Sequence, residues 1–104
     1  MIELNDENFL DEVIEADGVI VVEFWGNQCA KCKEIMPLVE ELADINKHIA
    51  KFCKLNAMEN KQLSISQNVA SIPTIVIYQK GEKEAQFNRV FSIQDVQIKL
   101  QEIG

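Results

Sequence analysis

The chain is poor in basic charge, in histidine and in long apolar runs. Ten Lys and Arg stand against seventeen Asp and Glu, a net charge of −7, with no basic block to interrupt the acidic background. That balance argues against nucleic acid or an anionic membrane surface as a main partner, since both bind clustered cations. No apolar run exceeds about five residues, far short of the roughly 20 needed to span a bilayer. The opening Met1-Ile-Glu-Leu-Asn-Asp-Glu has neither the basic stretch nor the apolar core of a secretory leader, so the expected location is the cytoplasm. Cysteine is scarce too. Three thiols fit a reducing compartment with a reactive pair and one spare, and are too few for a disulfide framework. The 104 residues predict one domain, 1–104, with a single core and no repeats, linkers or low-complexity segments.

What is present alternates regularly. Ile2 to Leu4 reads as a short strand, after which Asn5 or Asp6 caps a helix with Phe9, Leu10, Val13 and Ile14 inward. Asp17-Gly18 ends that helix. Val19 to Trp25 is β-branched on both faces, the composition of a central parallel strand. A long helix from near Cys29 carries Ile35, Met36, Val39, Leu42, Ala43 and Ile45 at helical spacing, with Pro37 expected to kink it. A strand over 51–56 and a short helix over 61–68, with Leu63 and Ile65 inward, come next. Strands over 74–79 and 85–90 flank Lys80-Gly81-Glu82 as a hairpin. A last helix, capped by Ser92, carries Ile93, Val96, Leu100 and Ile103. The order βαβαβαββα with short connections predicts an α/β fold, a mixed central sheet with helices on both faces.

Chemistry concentrates at Cys29-Ala30-Lys31-Cys32. Two thiols at this spacing can close a small ring. A helix start supplies unpaired N–H groups and roughly half a positive charge, which favour a thiolate at the first of them. Only the thiolate attacks a disulfide. The competing reading is a zinc ligand pair, but that needs a second such pair or paired histidines, and only Cys53 and His48 remain. Cys53, in a predicted strand, reads as a buried inert thiol, and His48 as a solvated residue near a helix end.

Phe24-Trp25, Cys29-x-x-Cys32-Lys33, Pro37, Lys54-Leu55-Asn56, Ile72-Pro73-Thr74 and Lys80-Gly81 together resemble the thioredoxin family, in its order and at nearly its spacing over essentially the whole chain. The resemblance implies a thioredoxin fold and a dithiol–disulfide oxidoreductase. Cys29 is implied as the nucleophile that forms a mixed disulfide with the target, and Cys32 as the thiol that resolves it. It also implies a cis Ile72–Pro73 bond facing the cysteines, with Ile72 offering its backbone to an extended substrate. Glu23 takes the place of a buried aspartate that assists Cys32, and Lys54 that of the lysine approaching it. At the sequence level Glu23 has a second reading as a solvated edge residue. The direction of its pKa is open too, because burial raises it while Lys54 lowers it.

Four positions depart from the family pattern. Ala30-Lys31 replaces Gly-Pro, Gln28 replaces a tryptophan, Glu23 is one methylene longer, and Arg89 or Val90 stands where the substrate groove has a glycine. The missing tryptophan is similar to some thioredoxins of anaerobic bacteria, including ones linked to amino-acid reductases. Trp25, Gln28, Ala30, Lys31, Ile72, Pro73, Arg89 and Val90 are the expected substrate rim. The resemblance implies no bound cofactor and no metal, since the cysteine pair carries the electrons. Its implied partners are a thioredoxin-reductase-type flavoenzyme and disulfide-containing target proteins, met by a monomer. The alternative reading is a redox-switched interaction module that binds without turnover.

Overall fold

The β-branched run Val19–Trp25 forms the middle strand of a five-stranded sheet. The computed structural model describes residues 1–103; Gly104, the last residue of the expected 1–104 domain, lies outside them. The strands are β1 (Ile2–Leu4), β2 (Val19–Trp25), β3 (Ala50–Asn56), β4 (Thr74–Gln79) and β5 (Glu82–Asn88), in spatial order β1-β3-β2-β4-β5. The first three are mutually parallel, and β4 and β5 run antiparallel to their neighbours.

Helices α1 (Ala30–Ile45) and α3 (Ile93–Ile103) cover one face, where Val19, Val21, Phe52, Ile75 and Ile77 meet Ile35, Val39, Val96 and Leu100. On the other face Ile20, Val22, Phe24, Leu55 and Tyr78 pack with Phe9, Val13 and Val69, flanked by α2 (Lys61–Ser66). Strand side chains alternate between faces, so consecutive β2 residues feed two separate cores. Burial on both faces is why β2 is a near-continuous apolar run. Glu23 breaks it.

Several local expectations need correction. The first helix is a π-helical turn, Leu10–Ile14, closed by the Glu15 N–H donating to the Leu10 carbonyl at 2.8 Å. The wider turn leaves Leu10 exposed while Phe9 and Val13 stay buried. Neither Asn5 nor Asp6 caps that helix, whose N-cap is Phe9 with no side-chain hydrogen bond; Asn5 Oδ1 instead accepts from the Glu7 and Asn8 N–H groups in the turn before it. Ile45 and Ile65 also point outward, and Ser64 is buried in place of Ile65. Helix α2 ends at Ser66 because Asn68 adopts φ 59°. Helix α1 runs unbroken through Pro37.

Strand β5 begins and ends earlier than expected. Lys80 (φ 56°) and Gly81 (φ 78°) make a two-residue turn, so that Gln79 pairs directly with Glu82. Two left-handed residues match the twist of the flanking strands. Arg89, also at φ 56°, ends β5 and leaves Val90 outside the sheet. Ser92 and Asp95 cap α3 reciprocally, each backbone N–H donating to the other's side chain.

Candidate active site

Cys29 is the N-cap of α1. Its backbone is extended (φ −104°, ψ 103°), and its Sγ accepts the Cys32 N–H at 3.1 Å. The sulfur therefore takes the place of a capping oxygen, in the field of a 16-residue helix. A backbone donor and a positive helix end both favour negative charge on that atom. Cys29 and Cys32 are joined as a disulfide with Cα atoms 5.2 Å apart. Cys29 is half-buried, whereas Cys32, inside the first turn, is almost fully buried. Of the two sulfur-bearing residues, Cys29 is the more accessible.

The turn between β2 and α1 brings further expected residues together. A Cβ at Gly26 would stand 2.7 Å from Ile72 Cδ1 and 2.9 Å from Met58 Cγ, so a side chain there would have to push those two aside. The Ile72 loop thus closes directly on the segment leading to Cys29. The Ile72–Pro73 bond is cis, and Pro73 is buried at the start of β4. The Pro73 carbonyl accepts the Arg89 N–H at 2.8 Å, which places the end of β5 beside that loop. Arg89, at φ 56°, is the residue in the conformation a glycine favours, while Val90 is 90% exposed.

Trp25 is half-buried, and its Nε1 has no hydrogen-bond partner among the described residues. Together with Cys32, Lys33, Met36 and Pro37 it lines a pocket of about 320 Å³ next to the disulfide. A second hollow of about 390 Å³ opens beside Ile72, walled by Met58, Ser64, Ile65 and Val69. Gln28, Ala30, Lys31 and Lys33 are exposed around Cys29, and Lys31 faces Glu34 at 3.9 Å.

Glu23 is 0% exposed, and neither carboxylate oxygen has a hydrogen-bond partner among the described residues. The solvated reading fails. Loss of hydration raises its pKa to about 7; Lys54 opposes the rise and Glu40 adds to it. Desolvation outweighs the lysine, because Lys54 neighbours Glu23 in the sheet yet has its Nζ 3.9 Å from Glu3 Oε1. Cys53 is fully buried on the opposite face, and burial lifts its thiol to about 11.

The family model described as Thioredoxin matches residues 1–102. This chain belongs to the thioredoxin family. It is 37% identical to a thioredoxin of Peptoclostridium acidaminophilum over 83 residues, which are 80% of this chain and 76% of that one. A thioredoxin of Acetoanaerobium sticklandii is 35% identical over 83 residues, covering 80% and 79% of the two chains. One of Pseudomonas aeruginosa is 34% identical over 85 residues, covering 82% and 79%. Like other thioredoxins it is a dithiol–disulfide oxidoreductase, and its redox centre is Cys29–Cys32.

The thioredoxin pair itself carries two electrons, so the reaction needs no bound cofactor. Among the described residues no group of three or more His, Cys, Asp or Glu could hold a metal, and no helix is long and apolar enough to cross a membrane. Three residues beside the site carry no functional signal in the sequence. Gly26 is a lone glycine between a buried strand and the cysteines. Met58 and Ile65 lie on segments with no motif, and only the folded chain brings them to the Ile72 loop.

Proposed function

We propose that the chain is a cytoplasmic, monomeric protein reductant that works as one domain over residues 1–104. In the reduced protein the Cys29 thiolate attacks a target disulfide. One target sulfur becomes bonded to Cys29 and the other leaves as a thiolate. Cys32, deprotonated by Glu23, then attacks Cys29 Sγ, closing the Cys29–Cys32 bond and freeing the second target thiolate. Two electrons pass to the target, and a separate flavin-dependent reductase of the thioredoxin-reductase type returns them. Lys54 tunes Glu23 in this scheme.

The observation that carries the reading is the placement of Cys29 Sγ at the start of α1, accepting the Cys32 N–H at 3.1 Å, with the second sulfur buried behind it. Ile72 and Pro73 supply backbone to an extended target segment, as in strand addition. Trp25, Gln28, Ala30, Lys31, Arg89 and Val90 form the rim that touches it. Gln28 offers little apolar area, while Lys31, Lys33 and Arg89 add positive charge to an otherwise acidic protein. Targets with acidic residues beside their disulfide therefore suit this rim.

The test is turnover. Reduced protein, recycled by a thioredoxin reductase, should reduce an unrelated disulfide protein in many cycles, and Cys32→Ser protein should trap targets from a cell extract as mixed disulfides. Tight binding of partners without net reduction would leave the interaction-module reading instead.

A further inference from the structure

Glu3, Lys54 and Glu23 lie abreast on three neighbouring strands. Lys54 on β3 is in register with Glu3 on β1 and with Glu23 on β2. Residues paired across parallel strands put their side chains on the same face of a sheet. One ammonium group thus stands between two carboxyl groups, on the face that α1 covers.

The two carboxyl groups do not share it equally. Lys54 Nζ lies 3.9 Å from Glu3 Oε1, with the Glu3 side chain 57% exposed and that of Lys54 31% exposed. Glu23 is buried, and both of its oxygens lack a hydrogen-bond partner among the described residues. Lys54 is the cation that acts on Glu23; Lys31 and Lys33 at the start of α1 are exposed, and Lys99 on α3 lies 3.6 Å from Glu102. On β4 its neighbour is Ile75, on the face where Val96 and Leu100 of α3 pack, and on α1 the acidic Glu40 adds to the rise of its pKa. An ammonium paired at the rim keeps part of its hydration, whereas following Glu23 inward would strip it away. Glu3 offers Lys54 the less costly partner.

We propose that Glu3 is a positioning residue: it draws the Lys54 ammonium to the edge of the sheet and so leaves the Glu23 carboxyl without a cationic partner. The inference takes its bearing on catalysis from the reading of Glu23 as the proton acceptor for Cys32. Without Glu3, the acid left in register with Lys54 is Glu23 on β2, and an opposite charge brought closer favours the ionised carboxylate. The effect runs wholly through Lys54.

The experiment follows the Glu23 carboxyl by carbon NMR across pH in the oxidised full-length protein. In Glu3→Gln its titration midpoint should fall by roughly half a pH unit or more, and Glu3→Asp should restore it. Lys54→Gln should raise the midpoint, and adding Glu3→Gln to Lys54→Gln should then change it little, a non-additivity that identifies the shared partner. A Glu23 midpoint unmoved in Glu3→Gln, or moved equally with and without Lys54, overturns the proposal. The role of Glu23 as base is decided separately, by whether Glu23→Gln slows resolution of a mixed disulfide. That result leaves the NMR test of Glu3 untouched.

Discussion

The Sγ of Cys29 accepts the backbone N–H of Cys32 at 3.1 Å, so the more accessible end of the redox pair is also the cap of α1. A sulfur in that position gains most from the helix when it is negative. In the proposed mechanism reactivity and accessibility coincide on one atom, and the buried Cys32 is left for the second step. In the reduced protein, alkylation at neutral pH should label Cys29 well before Cys32. Cys29→Ser should abolish disulfide reduction, while Cys32→Ser should form mixed disulfides and stop there. Faster labelling of Cys32 would reverse the assignment.

Glu23 should separate the two chemical steps. Removing a general base typically costs on the order of 10²-fold or more. Glu23→Gln is therefore expected to slow release of target from the mixed disulfide by about that factor and to leave its formation nearly unchanged. Stopped-flow kinetics with a fluorescent disulfide peptide resolves the two steps, and equal slowing of both would make Glu23 purely structural.

The same residue makes stability depend on pH. Its pKa is about 7 in the folded protein against 4.5 ordinarily. Between those values the folded state holds a proton that the unfolded state has lost, so stability falls as pH rises through the window and levels off above it. The full effect is up to about 3 kcal/mol. Relative to the parent, Glu23→Gln should gain stability between pH 4.5 and pH 8, as read from urea unfolding of the oxidised protein. Parallel stability curves for the two proteins would contradict the assigned burial cost.

Cys53 should be silent. Its thiol is fully buried, and burial raises its pKa to about 11, so thiolate is scarce at neutral pH. Thiol reagents should reach it only on unfolding. Cys53→Ala is expected to leave turnover unchanged and to cost about 1 kcal/mol of packing. Labelling in the native state would show the strand opening.

Arg89 joins charge to backbone geometry. A side chain at φ 56° costs about 1 kcal/mol that glycine avoids. Arg89→Gly should not destabilise the fold, and it should weaken the salt dependence of reduction of acid-flanked disulfides. Rates for the parent should fall between low salt and 0.15 M as charges beyond about 8 Å are screened. Rates independent of salt would remove the basic rim as a determinant of target choice.

The amino-acid sequence alone carried the order of elements, the cysteine pair and the faces of most of them. Each rests on local physics: a period of 2 or 3.6 in apolar residues, a cap, or the reach of two thiols across one helical turn. It did not carry the π-helical turn at Leu10, whose hydrogen bonds are set by packing of Phe9 and Val13 rather than by propensity. Nor did it reveal that Ile65 points outward or that β5 stops at Asn88, because a left-handed residue such as Arg89 leaves no mark in composition. The direction of the Glu23 pKa was also hidden. It depends on how far a carboxylate is from water and on where Lys54 places its ammonium. Those are distances between β1, β2, β3 and α1, segments up to some fifty residues apart in the chain, and only the folded sheet decides them.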